Sequence, residues 1–281
     1  MQKYIVIADD LTGSNATCSL FKKIGLRAAS ILKLQGDINY DVDVISYSTA
    51  SRGLDKEEAY KKVSEAIKIL KNKDVLVYNK RIDSTLRGNI GTEINAMLDN
   101  LEDDRIAVVI PSYPDSGRIV VNKTMLVNGV LLENSDAGKD PKTPIKTSCV
   151  ESLVQKDIKY SSTYFTLSDI AQPIEEIAKK IQEAIKKSRV LIFDAVNNED
   201  IIKISKAIIH SDINIITVDP GPFTLYYSKE LQKKNHLEKK ILMVIGSVTA
   251  TTKKQIEYIL QEEDIFLVKM KVEDFFEKET C

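Results

Sequence analysis

Short β-branched runs recur along the chain, and each is followed by a stretch whose apolar positions fit a helix. Tyr4–Ala8 (YIVIA) leads into a helical pattern from Thr12 to Ile24, which Gly25 is placed to stop. Val42–Ser48 (VDVISYS) leads into LDKEEAYKKVSEAIKILKN, where Ala59, Val63, Ala66, Ile67 and Leu70 fall on one helical face. Val75–Asn79 (VLVYN) and Ile106–Pro111 (IAVVIP) continue the series. Strands that are apolar at nearly every position leave no face for solvent. Alternating with amphipathic helices, they predict an α/β fold with a mostly parallel, doubly wound sheet covered on both sides.

The rhythm breaks between Ser112 and Ser148, where YPDSGR, IVVNKTMLVNGVLLE and DAGKDPKTP are polar and rich in turn residues. Val127–Gly129, set between VVNKTML and VLLE, predicts a hairpin-like excursion, so residues from about 112 to 148 read as a β-rich insertion. Such an insertion between regular units is more often a lid or binding loop than a linker. The α/β rhythm returns with a helix over Pro173–Ser188, the run VLIFDA, a helix ending at His210 and the run INIITVDPGPF. Within that last run, Asp219–Phe223 reads as a turn. A final unit, KILMVIGSVTATTKKQIEYIL followed by IFLVKM, predicts a strand, a helix and one more strand. The expected organisation is an α/β domain over 1–235 and the beginning of a second α/β domain over 236–281.

Composition narrows the classes of function. Lys plus Arg (40) nearly balances Asp plus Glu (41), so net charge supplies no reason to bind nucleic acid or an anionic membrane. Cys18, Cys149 and Cys281 lie far apart, and the only histidines are His210 and His236. No zinc-ligand spacing results, and no protein metal site is expected. The apolar run before Asp9 and Asp10 is too short for a signal segment or a membrane span, which makes the cytoplasm the expected compartment.

In open α/β sheets ligands bind beyond the carboxyl ends of the strands, so the strand exits share one address. After the first strand comes ADDLTGSN, with Asp9 and Asp10 adjacent. One helix cap needs one oxygen, so a paired carboxylate exceeds what capping requires; it suits orienting a hydroxyl, acting as base or holding Mg2+. STASR follows the next strand; Arg52 there suits a carboxylate grip, although spacing alone reads it as a surface charge. NKRIDSTLRGNIG gathers Lys80, Arg81, Asp83, Ser84, Thr85 and Arg87, with Gly88 and Gly91 permitting close backbone approach. Cations for a carboxylate or phosphate and oxygens for hydroxyls are what a small hydroxylated anion requires. PSYPDSGR adds Gly117 and Arg118, either a further cation or a plain turn. GSVTATT (Gly246–Thr252) ahead of a helix fits a phosphate cradle or a simple cap. There is no GxxxxGK[ST] and no GxGxxG.

Together, ADDLTG, KRIDSTLRGNIG, the P-x-x-P-x-x-G-R of Pro111–Arg118 and GSVTATTKKQ resemble the four-carbon acid sugar kinase family, in that order and over essentially the whole chain. The resemblance implies an N-terminal α/β domain for the sugar acid, a C-terminal nucleotide-binding domain and catalysis between them. It implies ATP and Mg2+ as cofactors, a four-carbon hydroxy acid (threonate, erythronate or an oxo-tetronate) as partner, and γ-phosphoryl transfer to a terminal hydroxyl. Carried over by residue, it places Asp9, Asp10, Arg52, Lys80, Arg81, Ile82 and Asp83 on the sugar acid, with Ser84, Arg87 and Arg118 as neighbours. Gly246, Ser247 and Thr249 would touch ATP. An aspartate accepts the hydroxyl proton, and Asp10 and Asp83 are both candidates. Family members continue to a Gly-Gly-Asp-Thr-type loop that holds the ATP phosphates. Residues 1–281 contain no such loop, so they are not expected to bind ATP productively by themselves. The rival expectation is a non-catalytic sugar-acid-binding or regulatory protein. Homodimer formation is left open.

Overall fold

The alternation of apolar runs and amphipathic stretches folds as a parallel sheet wrapped by helices in the computed structural model, which describes residues 3–34, 41–101, 104–237, 243–261 and 267–268. The first half contains β1 (Tyr4–Ala8), α1 (Leu11–Lys22), β2 (Ala28–Ile31), β3 (Val44–Ser48), α2 (Lys56–Leu70), β4 (Val77–Arg81), α3 (Ile90–Leu101) and β5 (Ile106–Val109). The insertion contributes β6 (Arg118–Val121), β7 (Thr124–Val127) and β8 (Val130–Leu131). The chain continues with α4 (Val150–Gln155), β9 (Ser162–Phe165), α5 (Leu167–Ile170), α6 (Ile174–Ala184) and β10 (Val190–Phe193). It then forms α7 (Asn198–His210), β11 (Ile215–Asp219), α8 (Pro222–Leu237) and α9 (Ala250–Ile259). No helix among the described residues is long and apolar enough to cross a membrane.

Eight strands lie in the order β2-β3-β1-β4-β11-β5-β10-β9, and every neighbouring pair is parallel. Successive strand residues point to opposite faces, and both faces are covered. Ile5 and Ile7 pack with Val63 and Ile67 of α2 and with Ile94 and Met97 of α3. Tyr4 and Val6 pack instead with Phe21 of α1, Ile204 and Ile208 of α7, and Phe223 of α8. Each such burial contributes about 1.5–3 kcal/mol. Because α1 covers one face while α2 and α3 cover the other, the chain leaves β1 in the opposite sense from β3 and β4. In open α/β sheets such a divergence is where ligands bind, at the carboxyl ends of these strands.

Sequence and structure differ in instructive places. The VLVYN run predicts a strand over Val75–Asn79, whereas β4 runs from Val77 through Arg81, because Lys80 and Arg81 still pair with Ile7 and Ala8 of β1. Asp219–Phe223 is more than a turn: Gly221, at φ 121°, reverses the chain and Pro222 opens α8. The insertion is an antiparallel sheet in the order β6-β7-β8, with the expected turn at Asn128–Gly129 and a second at Asn122–Lys123. Lys123 takes φ 68°, a conformation no lysine advertises in a sequence.

The chain divides into two compact units, Met1–Leu237 and Glu238–Cys281. In the second unit α9 forms, but residues 243–249 are not a strand. Among the described residues this apolar run has no strand to pair with and stands exposed, and burial or pairing is what makes such a run a strand. Most of the expected strand IFLVKM lies outside the described residues.

Candidate functional site

The exit of β1 supplies two carboxylates with different tasks. Asp9, 3% exposed, is gripped by Arg52 through both oxygens, Nε to Oδ2 at 2.7 Å and Nη2 to Oδ1 at 3.1 Å. Asp10 caps α1, its Oδ1 accepting from the Gly13 amide at 2.7 Å, while its Oδ2 lies 2.8 Å from Arg52 Nη1. Capping thus uses one oxygen of the pair, and three remain for the cluster. Arg52 is held in place by the loop after β3, where Thr49 Oγ1 donates to the Ala8 carbonyl at 3.0 Å. Spacing alone reads Arg52 as a surface charge, yet it is the cation at the centre of three aspartates, with Asp83 3.7 Å away. Burial opposes its charge, but Asp9, Asp83 and Asp10 outweigh burial and hold the guanidinium above its usual range. With both oxygens committed to Arg52, Asp9 does not present the open face that Mg2+ binding requires.

Lys80 and Arg81, adjacent on β4, point to opposite sides of the sheet. Lys80 is 0% exposed, and its Nζ lies 2.7 Å from Glu93 Oε2, 2.9 Å from the Arg81 carbonyl and 3.3 Å from the Ile7 carbonyl. An ammonium has three donors, and all three are used. The resemblance puts Lys80 and Ile82 on the sugar acid; the structure packs both inside, Ile82 being 1% exposed. Glu93 on α3 also accepts from Ser51 Oγ, and Asn89 Nδ2 donates to the Ser51 and Leu54 carbonyls at 3.1 and 2.9 Å. These bonds tie the loop that carries Arg52 to the segment that carries Asp83. Burial pushes the Glu93 carboxyl up, and Lys80 works against that push.

Asp83 lies in the turn after β4, where Arg87 Nε donates to Oδ2 at 2.6 Å and Nη2 to Oδ1 at 3.1 Å, with Thr85 Oγ1 at 2.6 Å. Burial pushes this carboxyl up, but the Arg87 and Thr85 bonds and the Arg52 charge override burial and hold it below the ordinary range. The turn needs left-handed backbone at Leu86 (φ 57°) and Gly88 (φ 95°). From the insertion, Asp140 Oδ2 takes Arg87 Nη1 at 2.9 Å, and its Oδ1 accepts the Lys142 and Thr143 amides, both at 2.9 Å. The Thr143 amide, then Arg87 and the Lys142 amide, bring the Asp140 carboxyl down to about 2.

Arg81 has no such partner. Its side chain is 8% exposed, and Nε and Nη1 are buried without a hydrogen-bond acceptor. Burial lowers its hold on the proton, and Asp219, Asp9, Asp83 and Asp10 oppose that through their charge alone. Asp219, opposite Arg81 in the register of β11, accepts the Gly221 amide at 2.7 Å and the Thr224 amide at 3.2 Å, as well as Thr224 Oγ1. Asn79 Nδ2 lies 2.9 Å from Asp219 Oδ1, while Asn79 Oδ1 is buried without a partner.

Ser84 is partly buried beside Asp83. Arg118 starts β6 and donates to the Ser116 carbonyl; no hydrogen bond or ion pair among the described residues joins it to the aspartate–arginine cluster. In the second unit Thr249 caps α9, its Oγ1 accepting from the Thr252 amide at 3.3 Å, and Thr252 Oγ1 donates to Ser247 Oγ at 2.9 Å. The hydroxyls thus gather at the α9 N-terminus, next to Gly246. The sequence motifs do not pick out Glu93, Asp140 and Asp219 as site residues. Glu93 had a readable signal, since a glutamate inside the otherwise buried run IGTEINAML needs a counter-charge.

Residues 4–227 match the family model described as "Sugar-binding N-terminal domain". The chain is 39% identical over 267 residues to a D-erythronate kinase of Heliobacterium modesticaldum, covering 92% of this chain and 60% of the relative. It is 30% identical over 260 residues to a D-threonate kinase of Salmonella typhimurium, covering 92% and 61%. It therefore spans less than two thirds of the length of these curated relatives. Among solved structures, a Haemophilus influenzae protein superposes with a TM-score of 0.71 at 25% identity, covering 92% of this chain and 65% of that one. A Bordetella bronchiseptica protein, solved as a domain-swapped dimer with bound citrate, shares the fold with a TM-score of 0.72 at 24% identity, covering 92% and 65%.

Proposed function

This chain belongs to the four-carbon acid sugar kinase family, whose sugar-binding N-terminal domain its residues 4–227 match, and on that footing we propose that its larger unit binds a four-carbon hydroxy acid and presents a terminal hydroxyl to ATP. The observation that carries the proposal is the cluster of Asp9, Asp10, Asp83, Arg52, Arg81 and Arg87 at the carboxyl ends of β1, β3 and β4. Erythronate and threonate, the acids named for the relatives, carry hydroxyl donors for aspartates and a carboxylate for a guanidinium.

Asp10 is the base in this reading. Its side chain keeps 27% of its surface, whereas Asp83 keeps 9% and is saturated by Arg87 and Thr85. Asp10 Oδ2 accepts the hydroxyl proton while Arg52 holds the carboxylate in place and balances its charge. Asp9, Asp83, Ser84 and Arg87 shape the acceptor side. Lys80 and Ile82 act from below by fixing the strand exit, and Arg118 stands at the root of the insertion. In the second unit, Gly246, Ser247 and Thr249 contact the nucleotide through the α9 N-terminus. Mg2+ carried with ATP supplies charge neutralisation on the phosphates. The enzyme's own contribution is positioning and electrostatics.

The test is ADP release by a polypeptide with the full length of the relatives, offered D-erythronate, D-threonate and 3-oxo-tetronates. Substrate-dependent release with at least one acid is expected. Folded, ATP-binding protein that releases none across the panel overturns the kinase reading.

A further inference from the structure

We infer that residues 112–148 form a fixed brace that carries Asp140 to Arg87, and that Asp194, at the exit of β10, is the positioning residue that holds this brace in register; the inference rests on the acceptor-site reading above. Asp194 is 0% exposed and takes neutral donors from three separate elements. The Tyr164 hydroxyl on β9 donates to its Oδ1 at 2.7 Å, and the Lys123 amide in the turn between β6 and β7 donates to the same oxygen at 3.1 Å. The Leu167 amide, at the start of α5, donates to Oδ2 at 3.2 Å. Burial and the bond to Asp194 push the Tyr164 hydroxyl well above its usual range, so it remains a donor. A buried carboxylate is costly unless its oxygens are bonded, and one of these bonds is supplied by the insertion. The next residue continues the attachment, its carbonyl accepting the Val120 amide of β6 at 2.9 Å and Ser112 Oγ at 2.7 Å.

The turn that Asp194 holds is an unfavourable one. Asn122 and Lys123 take φ 46° and 68°, and a two-residue turn with both residues left-handed ordinarily places glycine second. A lysine keeps that conformation only where its surroundings over-determine it. Here they do. Besides the amide bond to Asp194, the Lys123 carbonyl accepts the Val150 amide at 2.8 Å, and Nζ lies 2.6 Å from Glu151 Oε2 and 5.0 Å from the centre of the Tyr164 ring. From this turn to Asp140 the insertion is one bonded and packed body. The Met125 amide donates to the Ser148 carbonyl at 2.9 Å, Ser148 Oγ donates to the Glu133 carboxylate, and the Ile145 amide donates to the Ala137 carbonyl at 3.0 Å. Met125, Leu132, Ala137 and Ile145 are buried in the same apolar cluster as Ile90 and Ile94 of α3. Close-packed interiors transmit a displacement rather than absorb it. At the far end Asp140, its Oδ1 tied to the Lys142 and Thr143 amides, presents Oδ2 to Arg87 Nη1 at 2.9 Å. That contact leaves Arg87 Nε and Nη2 for the two oxygens of Asp83, so the aim of Asp83 depends on where the insertion is fixed.

The experiment is a double-mutant cycle on the 281-residue chain, read by calorimetric titration with D-erythronate and D-threonate and by the Asp140 midpoint in carboxyl NMR. Asp194→Asn keeps the shape but not the carboxylate, and should weaken acid binding about fivefold; Asp140→Asn should do the same. Because both act through Arg87, the double variant should lose about fivefold as well, rather than the product of about 25-fold. Asp194→Asn should also raise the Asp140 midpoint from about 2 toward the ordinary aspartate range, which a residue that merely stabilised the fold would not do. Tyr164→Phe removes one donor and leaves Asp194 in place, and it replaces Asp194→Asn if that variant does not fold. About a twofold loss of affinity is then expected, with the midpoint rising in the same direction. Losses that multiply in the double variant overturn the positioning role and leave the acceptor reading intact. So does a folded variant in which either the Asp140 midpoint or the acid affinity stays at the wild-type value. A wild-type chain that binds neither acid overturns the acceptor reading, and the positioning role with it.

Discussion

The two sides of β4 handle buried charge in opposite ways. On the α3 side, Lys80, Glu93 and Ser51 form a closed set in which all three ammonium donors are spent and both carboxylate oxygens accept. On the α1 and α8 side, Arg81 and Asn79 keep buried polar atoms with no partner. Native interiors satisfy nearly all such atoms, so under the proposed function the closed side is scaffold and the open side belongs to the acid site. A complete network holds two loops in register. The incomplete one lies on the opposite face of the same strand.

The largest expected effect breaks the closed side. Glu93→Ala leaves Lys80 charged and unpaired in the interior, and should cost about 3–5 kcal/mol in urea unfolding. A cost below about 1 kcal/mol would mean that the pair is not the clamp described. The double variant Lys80→Met with Glu93→Leu removes both charges, and should return stability to within about 1–2 kcal/mol of wild type. If the double variant is as unstable as Glu93→Ala, shape rather than charge pairing governs that side.

A smaller effect probes the open side. Gly13→Ala places a methyl against Asp10 and Arg81, and should weaken hydroxy-acid binding about tenfold by calorimetry, with unfolding free energy changed by less than about 1 kcal/mol. Unchanged affinity would show that Arg81 moves aside freely. The smallest effect concerns the insertion. Asp140 titrates at about 2 when folded, below the usual aspartate value, so the stability it lends is present above pH 4 and lost as pH falls toward 2. Carboxyl NMR of the folded chain should show its midpoint near 2, and Arg87→Met should move that midpoint up toward the ordinary value while the Lys142 and Thr143 amides keep part of the shift.

Much of this was legible in the sequence, for identifiable reasons. Runs such as YIVIA and VLIFDA are apolar on both alternating faces, which only a doubly covered strand explains. Asp9 and Asp10 exceed what a cap needs, and the structure spends one oxygen on the cap and directs the rest to Arg52. Other features were silent. AASI and STYF carry few large aliphatic side chains to announce β2 and β9, which are sheet-edge strands and bury one residue each. Arg52 looked solvated because its partners are distant in sequence. The sequence does not separate the roles of Lys80 and Arg81, because β4 reaches two residues past the VLVYN run and strand alternation sends neighbours to opposite faces. Asp219 and Asp140 meet the site only through the crossing order of the sheet and the path of the insertion.

That crossing order has a consequence for how the molecule is made. β11 is the last strand of the sheet to be synthesised, yet it lies between β4 and β5, and Asn79 meets Thr217 across a separation of 138 residues. Until the ribosome has released residue 219, the nascent chain holds two open parallel edges that have no business touching each other. Either edge can recruit a neighbouring polypeptide in the meantime. Closing a loop of that length is intrinsically slow, and β11, beside Arg81, is the part of the described sheet that arrives last. The sheet is completed from its middle, and its assembly is most exposed at those two edges.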